Sequence, residues 1–117
     1  MTGTETEQSA VAVGVICLPL VQDPDVAEAE LERLAVEHGK QLVETLRVWP
    51  KEPGWLFRLL ETVNAKRAVA VLALDMDHIG ACSVAVVGAA DLITRTETRE
   101  YVGYGTPGVR PGFLPAR

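Results

Sequence analysis

Asp75-Met76-Asp77-His78 is the densest group of chemistry-bearing side chains in the sequence, two carboxylates and an imidazole just past an apolar run. Alternate residues of an extended chain point the same way. Asp75 and Asp77, with His78, could thus share a hard cation such as Mg²⁺, as a small metal-dependent hydrolase or phosphate-handling enzyme would require. The competing reading gives Asp77 to the cap of a following helix and leaves Asp75 in solvent. We prefer the second, because no further ligand can be identified and metal is not otherwise called for. His38 stands near a predicted helix end, where its charge is favourable without any catalytic role. Cys17 and Cys82, the only cysteines, sit among small apolar residues and read as buried, reduced thiols. Cys17 has no cationic neighbour in sequence to lower its pKa, so no Cys/His nucleophile pair can be placed. The segment Pro19–Pro24 contains no glycine, which excludes a P-loop or dinucleotide fingerprint after the first apolar run. No cofactor is expected. Trp49, Pro53 and Trp55 border a Pro-rich loop and are the interaction candidates: two exposed indole anchors, or two rings packed over the sheet edge.

The elements that must position these residues follow from apolar patterning. Ala10–Leu18 (AVAVGVICL) and Ala68–Leu74 (AVAVLAL) are continuous apolar runs, the mark of strands buried on both faces of a parallel sheet. Gln41–Val48 alternates weakly and reads as another strand. Asp23-Pro24 opens a helix with a carboxylate cap and proline at its first position, and Gly39 stops it. Leu56, Leu59, Leu60 and Val63 share one face of a second helix that ends near Asn64. Residues 79–94 are expected to form a third helix, with 84–87 as an alternative strand because β-branched residues favour sheets. A crossover is needed there to keep the sheet parallel, which favours the helix. The last strand is expected at 99–104. The predicted fold is therefore a three-layer α/β/α domain with a four-stranded, mostly parallel sheet, the strands starting at Ala10 and Ala68 central. Residues 1–9 read as a disordered polar arm, 10–105 as the domain, and 106–117 as a Pro/Gly-rich tail.

Composition narrows the function classes. The 117 residues are 48% hydrophobic and 23% charged, as in an ordinary globular domain. Sixteen acids against eleven bases give a net charge of −5, which argues against a dedicated nucleic-acid binder. Met1–Gln8 lacks the basic start and apolar stretch of a signal peptide, and no apolar run reaches membrane-spanning length. A cytoplasmic protein with no membrane contact is expected.

In a parallel sheet, functional residues gather outside the carboxyl ends of the strands. The segments there are Cys17–Gln22, Val48–Gly54 and Asp75–Ala81. In that order they resemble the catalytic domain of serine recombinases of the resolvase/invertase family. The family has Tyr-x-Arg-x-Ser on its first strand, Arg-Pro-Gly opening a helix, then an apolar strand and Leu-Asp-Arg-Leu-Gly-Arg. Here stand Val15-Ile16-Cys17-Leu18-Pro19, Glu52-Pro53-Gly54, and Met76-Asp77-His78-Ile79-Gly80-Ala81. The resemblance covers roughly residues 11–104 as a pattern of elements.

The resemblance implies a shape without the family's chemistry. Val15 and Cys17 occupy the first-strand tyrosine and arginine positions. Pro19 occupies the nucleophile's place and has no hydroxyl to attack a phosphodiester. Glu52 reverses the charge of the Arg-Pro-Gly arginine. His78 and Ala81 replace the two arginines after Asp77, and only Asp77 and Gly80 keep the pattern. A phosphoryl-transfer site without nucleophile and cationic clamp lacks the positioning and electrostatic terms that make the rate. The long helix that follows the family's sheet and its helix-turn-helix domain have no counterpart. The expectation is a pseudoenzyme: a serine recombinase homologue that acts through contacts with an unidentified protein partner or a second copy of itself.

Overall fold

The computed structural model describes residues 10–102. The arm expected over 1–9, the tail over 106–117 and the end of the domain at 105 lie outside the described residues.

The chain forms an α/β domain around one five-stranded mixed sheet of order β2-β1-β3-β4-β5. Its strands are β1 Val11–Cys17, β2 Gln41–Val48, β3 Ala70–Leu72, β4 Asp91–Ile93 and β5 Thr98–Arg99. Among the described residues the three α-helices are α1 Pro24–Glu37, α2 Trp55–Lys66 and α3 Ser83–Val87. β1 pairs in parallel with β2 and β3, and β3 in parallel with β4; β5 alone is antiparallel. Among the described residues no helix is long and apolar enough to cross a membrane.

The apolar runs behave as their composition requires. Val13 and Val15 face one side of β1, where they join Val48, Leu59, Val63, Val71, Val86 and Leu92 under α2 and α3. Ala12 and Ile16 face the other side, with Leu31, Leu34, Leu72 and Ile93 under α1. Two cores on opposite faces make the sheet the middle of three layers. At Gly14 the second core leaves no room for a side chain: a methyl there would stand 2.9 Å from Leu31 Cδ1 and 3.0 Å from Thr45 Oγ1. α1 can therefore lie close against the sheet.

α1 starts and stops where its residues dictate. The Asp23 carboxylate accepts from the amides of Asp25 (3.0 Å) and Val26 (3.5 Å), and Pro24 has no N–H that would need an acceptor. Gly39, at φ 68°, takes the left-handed turn past the helix end. Arg47 on β2 bonds both Asp25 (2.7 Å) and Glu28 (2.9 Å), fastening this helix to the edge strand. β2 alternates weakly because its register with β1 shifts between Ala12 and Val13, which leaves Val43 bulged and exposed.

Four expectations need correction. The described sheet has five strands, not four; it is mostly parallel as expected, with β5 the antiparallel exception. The helix expected over 79–94 is only Ser83–Val87, preceded by two single 3₁₀ turns, Met76–His78 and Gly80–Cys82. Residues 84–87 are helical, and the strand in this region is Asp91–Ile93 instead. Its Leu92 and Ile93 are buried on opposite faces, and three residues are too few to display a strand period. The strand expected at 99–104 is the short antiparallel β5; residues 103–104 lie outside the described residues. The reversal comes from Thr94, whose Oγ1 accepts from the amides of Thr96 (3.3 Å) and Glu97 (3.1 Å) and turns the chain back on itself. Finally, α2 runs to Lys66 rather than Asn64 and ends on Arg67 at φ 56°.

Candidate functional site

The strand order reverses direction between β1 and β3, so the chain leaves the carboxyl ends of these neighbours toward opposite sides. This switch point is where open α/β sheets form a crevice. A cleft of about 240 Å³ lies there, lined by Cys17, Val48, Pro50, Trp55 and Asp77–Cys82. Four residues that the recombinase resemblance assigns to a catalytic site are among them: Cys17, Asp77, His78 and Ala81. Val15 is buried in the core below. Pro19, in the exposed turn Leu18–Leu20, and Glu52, held by Arg58 at 2.8 Å, are outside the lining.

The floor of the cleft is one hydrogen bond. The Cys17 amide, at the end of β1, donates to His78 Nδ1 over 2.9 Å, joining residues 61 apart in sequence. A ring nitrogen that accepts carries no proton, so the neutral imidazole holds its hydrogen on Nε2. His78 is only 5% exposed. Burial is the main cause that pushes its pKa below the ordinary imidazole value; Asp75 and Asp77 pull it up, while Arg95 adds to the lowering. At neutral pH the ring is an uncharged donor. Burial likewise raises the Cys17 thiol, which keeps it protonated and a poor nucleophile. Both cysteines are free.

The acidic cluster is used internally. Asp75, not Asp77, is the cap: its Oδ1 accepts from the Asp77 amide at 3.0 Å. Its Oδ2 lies 3.8 Å from Arg95, whose Nε also donates to the Leu74 carbonyl at 3.0 Å. His78 Nδ1 is occupied by the Cys17 amide. Among the described residues no three His, Cys, Asp or Glu side chains converge to hold a metal ion.

The two tryptophans part company. Trp49 is 55% exposed, on the loop leaving β2. Trp55, at the start of α2, is half-buried against the core and forms a wall of the cleft. It is therefore no freely exposed anchor. Pro53 is exposed on the loop between them. Sequence reading missed the Cys17–His78 bond and the share of Cys82 in the cleft. The one available signal was their position just past the ends of β1 and β3.

No protein-family model, curated protein or solved structure matches the chain.

Proposed function

We propose that the chain is a non-catalytic, resolvase-like domain that acts through protein–protein contacts in the cytoplasm, in a regulatory or assembly role. The observation that carries this reading is the apolar surface at the carboxyl edge of the sheet. Leu20 and Trp49 are 50% and 55% exposed on the loops that leave the paired strands β1 and β2. Exposed Pro19, Pro50 and Pro53 flank them. Single exposed apolar residues are ordinary, but an indole and a leucine on adjoining loops are the material of an interface anchor. The chemistry at the same edge supports a lack of catalysis: a proline where the resemblance expects a nucleophile, and a neutral, buried histidine where it expects a cation. Two free thiols fit a reducing compartment.

Two experiments test this reading. Trp49→Ser should weaken association by about thirty-fold, the effect of losing one anchor, with melting unchanged because the ring is exposed. Association is read by sedimentation equilibrium for a second copy and by co-purification from the native host for another protein. An unchanged self-association together with an unchanged set of captured proteins would refute the contact reading. Separately, supercoiled plasmid should stay intact with the wild type and with Pro19→Ser, since a restored hydroxyl brings back none of the missing positive charge. Nicking by either protein, or saturable duplex binding at physiological salt, would overturn the non-catalytic part.

A further inference from the structure

His78 leaves one polar atom unaccounted for. Its Nδ1 takes the Cys17 amide, and its Nε2–H has no hydrogen-bond partner among the described residues, although the residue is only 5% exposed and lines the cleft. Buried donors are almost always paired, so an unpaired one on a cleft wall points to an acceptor that comes from outside. The Trp55 indole N–H on the neighbouring wall is also without a partner among the described residues.

The charges around the cleft restrict what that acceptor is. Glu52 is neutralised by Arg58 and Asp75 by Arg95, at 2.8 and 3.8 Å. Asp77, on the rim, has no ion-pair partner among the described residues and offers a carboxylate. An anionic ligand would meet that charge with only neutral donors, the imidazole and the Trp55 indole, to hold it. A neutral ligand with a carbonyl for His78 Nε2–H and an N–H for Asp77 satisfies both. In the remaining lining Val48, Pro50, Trp55 and Ile79 are apolar and suit a compact hydrocarbon or planar body. At about 240 Å³ the cleft has the volume of roughly eight waters, the scale of a small molecule.

We propose that this cleft is a binding site for a small neutral amide or lactam, its carbonyl held by His78 Nε2–H, its N–H by Asp77, and its body seated against Trp55. The site adjoins the exposed Trp49–Leu20 surface at Pro50 but does not depend on that surface engaging a protein.

The test titrates the full chain, ¹⁵N-labelled, with 2-piperidone, and with cyclopentanecarboxylate and piperidine as charged comparators. Saturable shifts are expected at the Cys17, Gly80 and Ala81 amides and the Trp55 indole N–H. A dissociation constant of about 1–10 mM is the ordinary yield for so small a ligand. Each comparator should bind at least about ten-fold more weakly. His78→Asn places an amide oxygen near Nδ1 and so keeps the Cys17 bond, but it removes the donor; it should weaken 2-piperidone by about ten-fold. Ala81→Leu, at an exposed lining position away from the core, should block the cleft and abolish the shifts while leaving the fold intact. Three results would each overturn the proposal: no saturation by about 50 mM, which would leave water to satisfy His78; equal binding of the anion; or an affinity for 2-piperidone that neither variant changes from the wild-type value.

Discussion

Leu31→Ala should lower the free energy of unfolding by about 3 kcal/mol, in the range for a fully buried leucine that leaves a cavity. That is a large part of the total stability of a domain this size. The cavity would open directly over Gly14, where the leucine methyl now excludes any side chain. Gly14→Ala alone should cost about 1–3 kcal/mol by overpacking against Leu31 and Thr45. The two changes should compensate in part, because the added methyl then enters the space that Leu31 vacates. The double variant is expected to lose at least ~1 kcal/mol less than the sum of the single losses. Urea unfolding with unchanged slopes measures all three. Additivity within about 0.5 kcal/mol would show that α1 does not rest on Gly14.

Acid should destabilise the protein through His78. Burial holds the native ring's pKa below 6.5, whereas the unfolded ring titrates near that value. Above it both states are neutral and the contribution is fully present. As pH falls through 6.5 the unfolded state takes up a proton that the native state refuses, and stability declines until the native pKa is reached. Protonation of Nδ1 would also break the bond from the Cys17 amide. His78→Asn keeps an acceptor for that amide and cannot titrate, so it should flatten this part of the profile between about pH 7.5 and 5.5. His78→Leu fills similar space but strands the buried amide, at a cost of about 1–3 kcal/mol at neutral pH. Identical pH profiles for the wild type and His78→Asn would remove His78 as the source.

The parts of the fold visible in the sequence are those whose signals are local and long. β1 and β3 were legible because seven or more apolar residues in a row leave few alternatives to a strand covered on both faces. α1 was legible at both ends, since Asp23-Pro24 and Gly39 act through bonds within a turn of themselves. The stretch after Leu74 was not. Its apolar residues serve two 3₁₀ turns, a five-residue helix and a three-residue strand, none long enough to complete a recognisable period. Position just past the strand ends drew attention to Cys17, Asp77 and His78, yet pairing Cys17 with His78 depends on β1 and β3 being neighbours. Asp77 was the expected cap, but the carboxylate that reaches the turn is Asp75, a choice that geometry rather than composition makes. The tryptophans differ for a similar reason: Trp55 opens a helix that packs on the sheet, and Trp49 is left on the loop before it.

The unequal strand pairings also order the assembly of the sheet in time. β1 matches β2 over seven residue pairs, the first of them thirty residues apart in sequence. It matches β3 over only three, beginning fifty-eight residues apart. Closing the longer loop costs only about 0.6 kcal/mol more, so the length of the ladder decides which pairing forms first. Residues 11–48 can therefore close as a β–α–β unit while β3 is still being synthesised, held by α1 and its bonds to Arg47. The apolar β3 run then emerges to find the free edge of β1 already in place, and β4 and β5 add outward in the order in which they are made. Apart from β2, the strand order follows the direction of translation, so each later strand meets an edge that is already made.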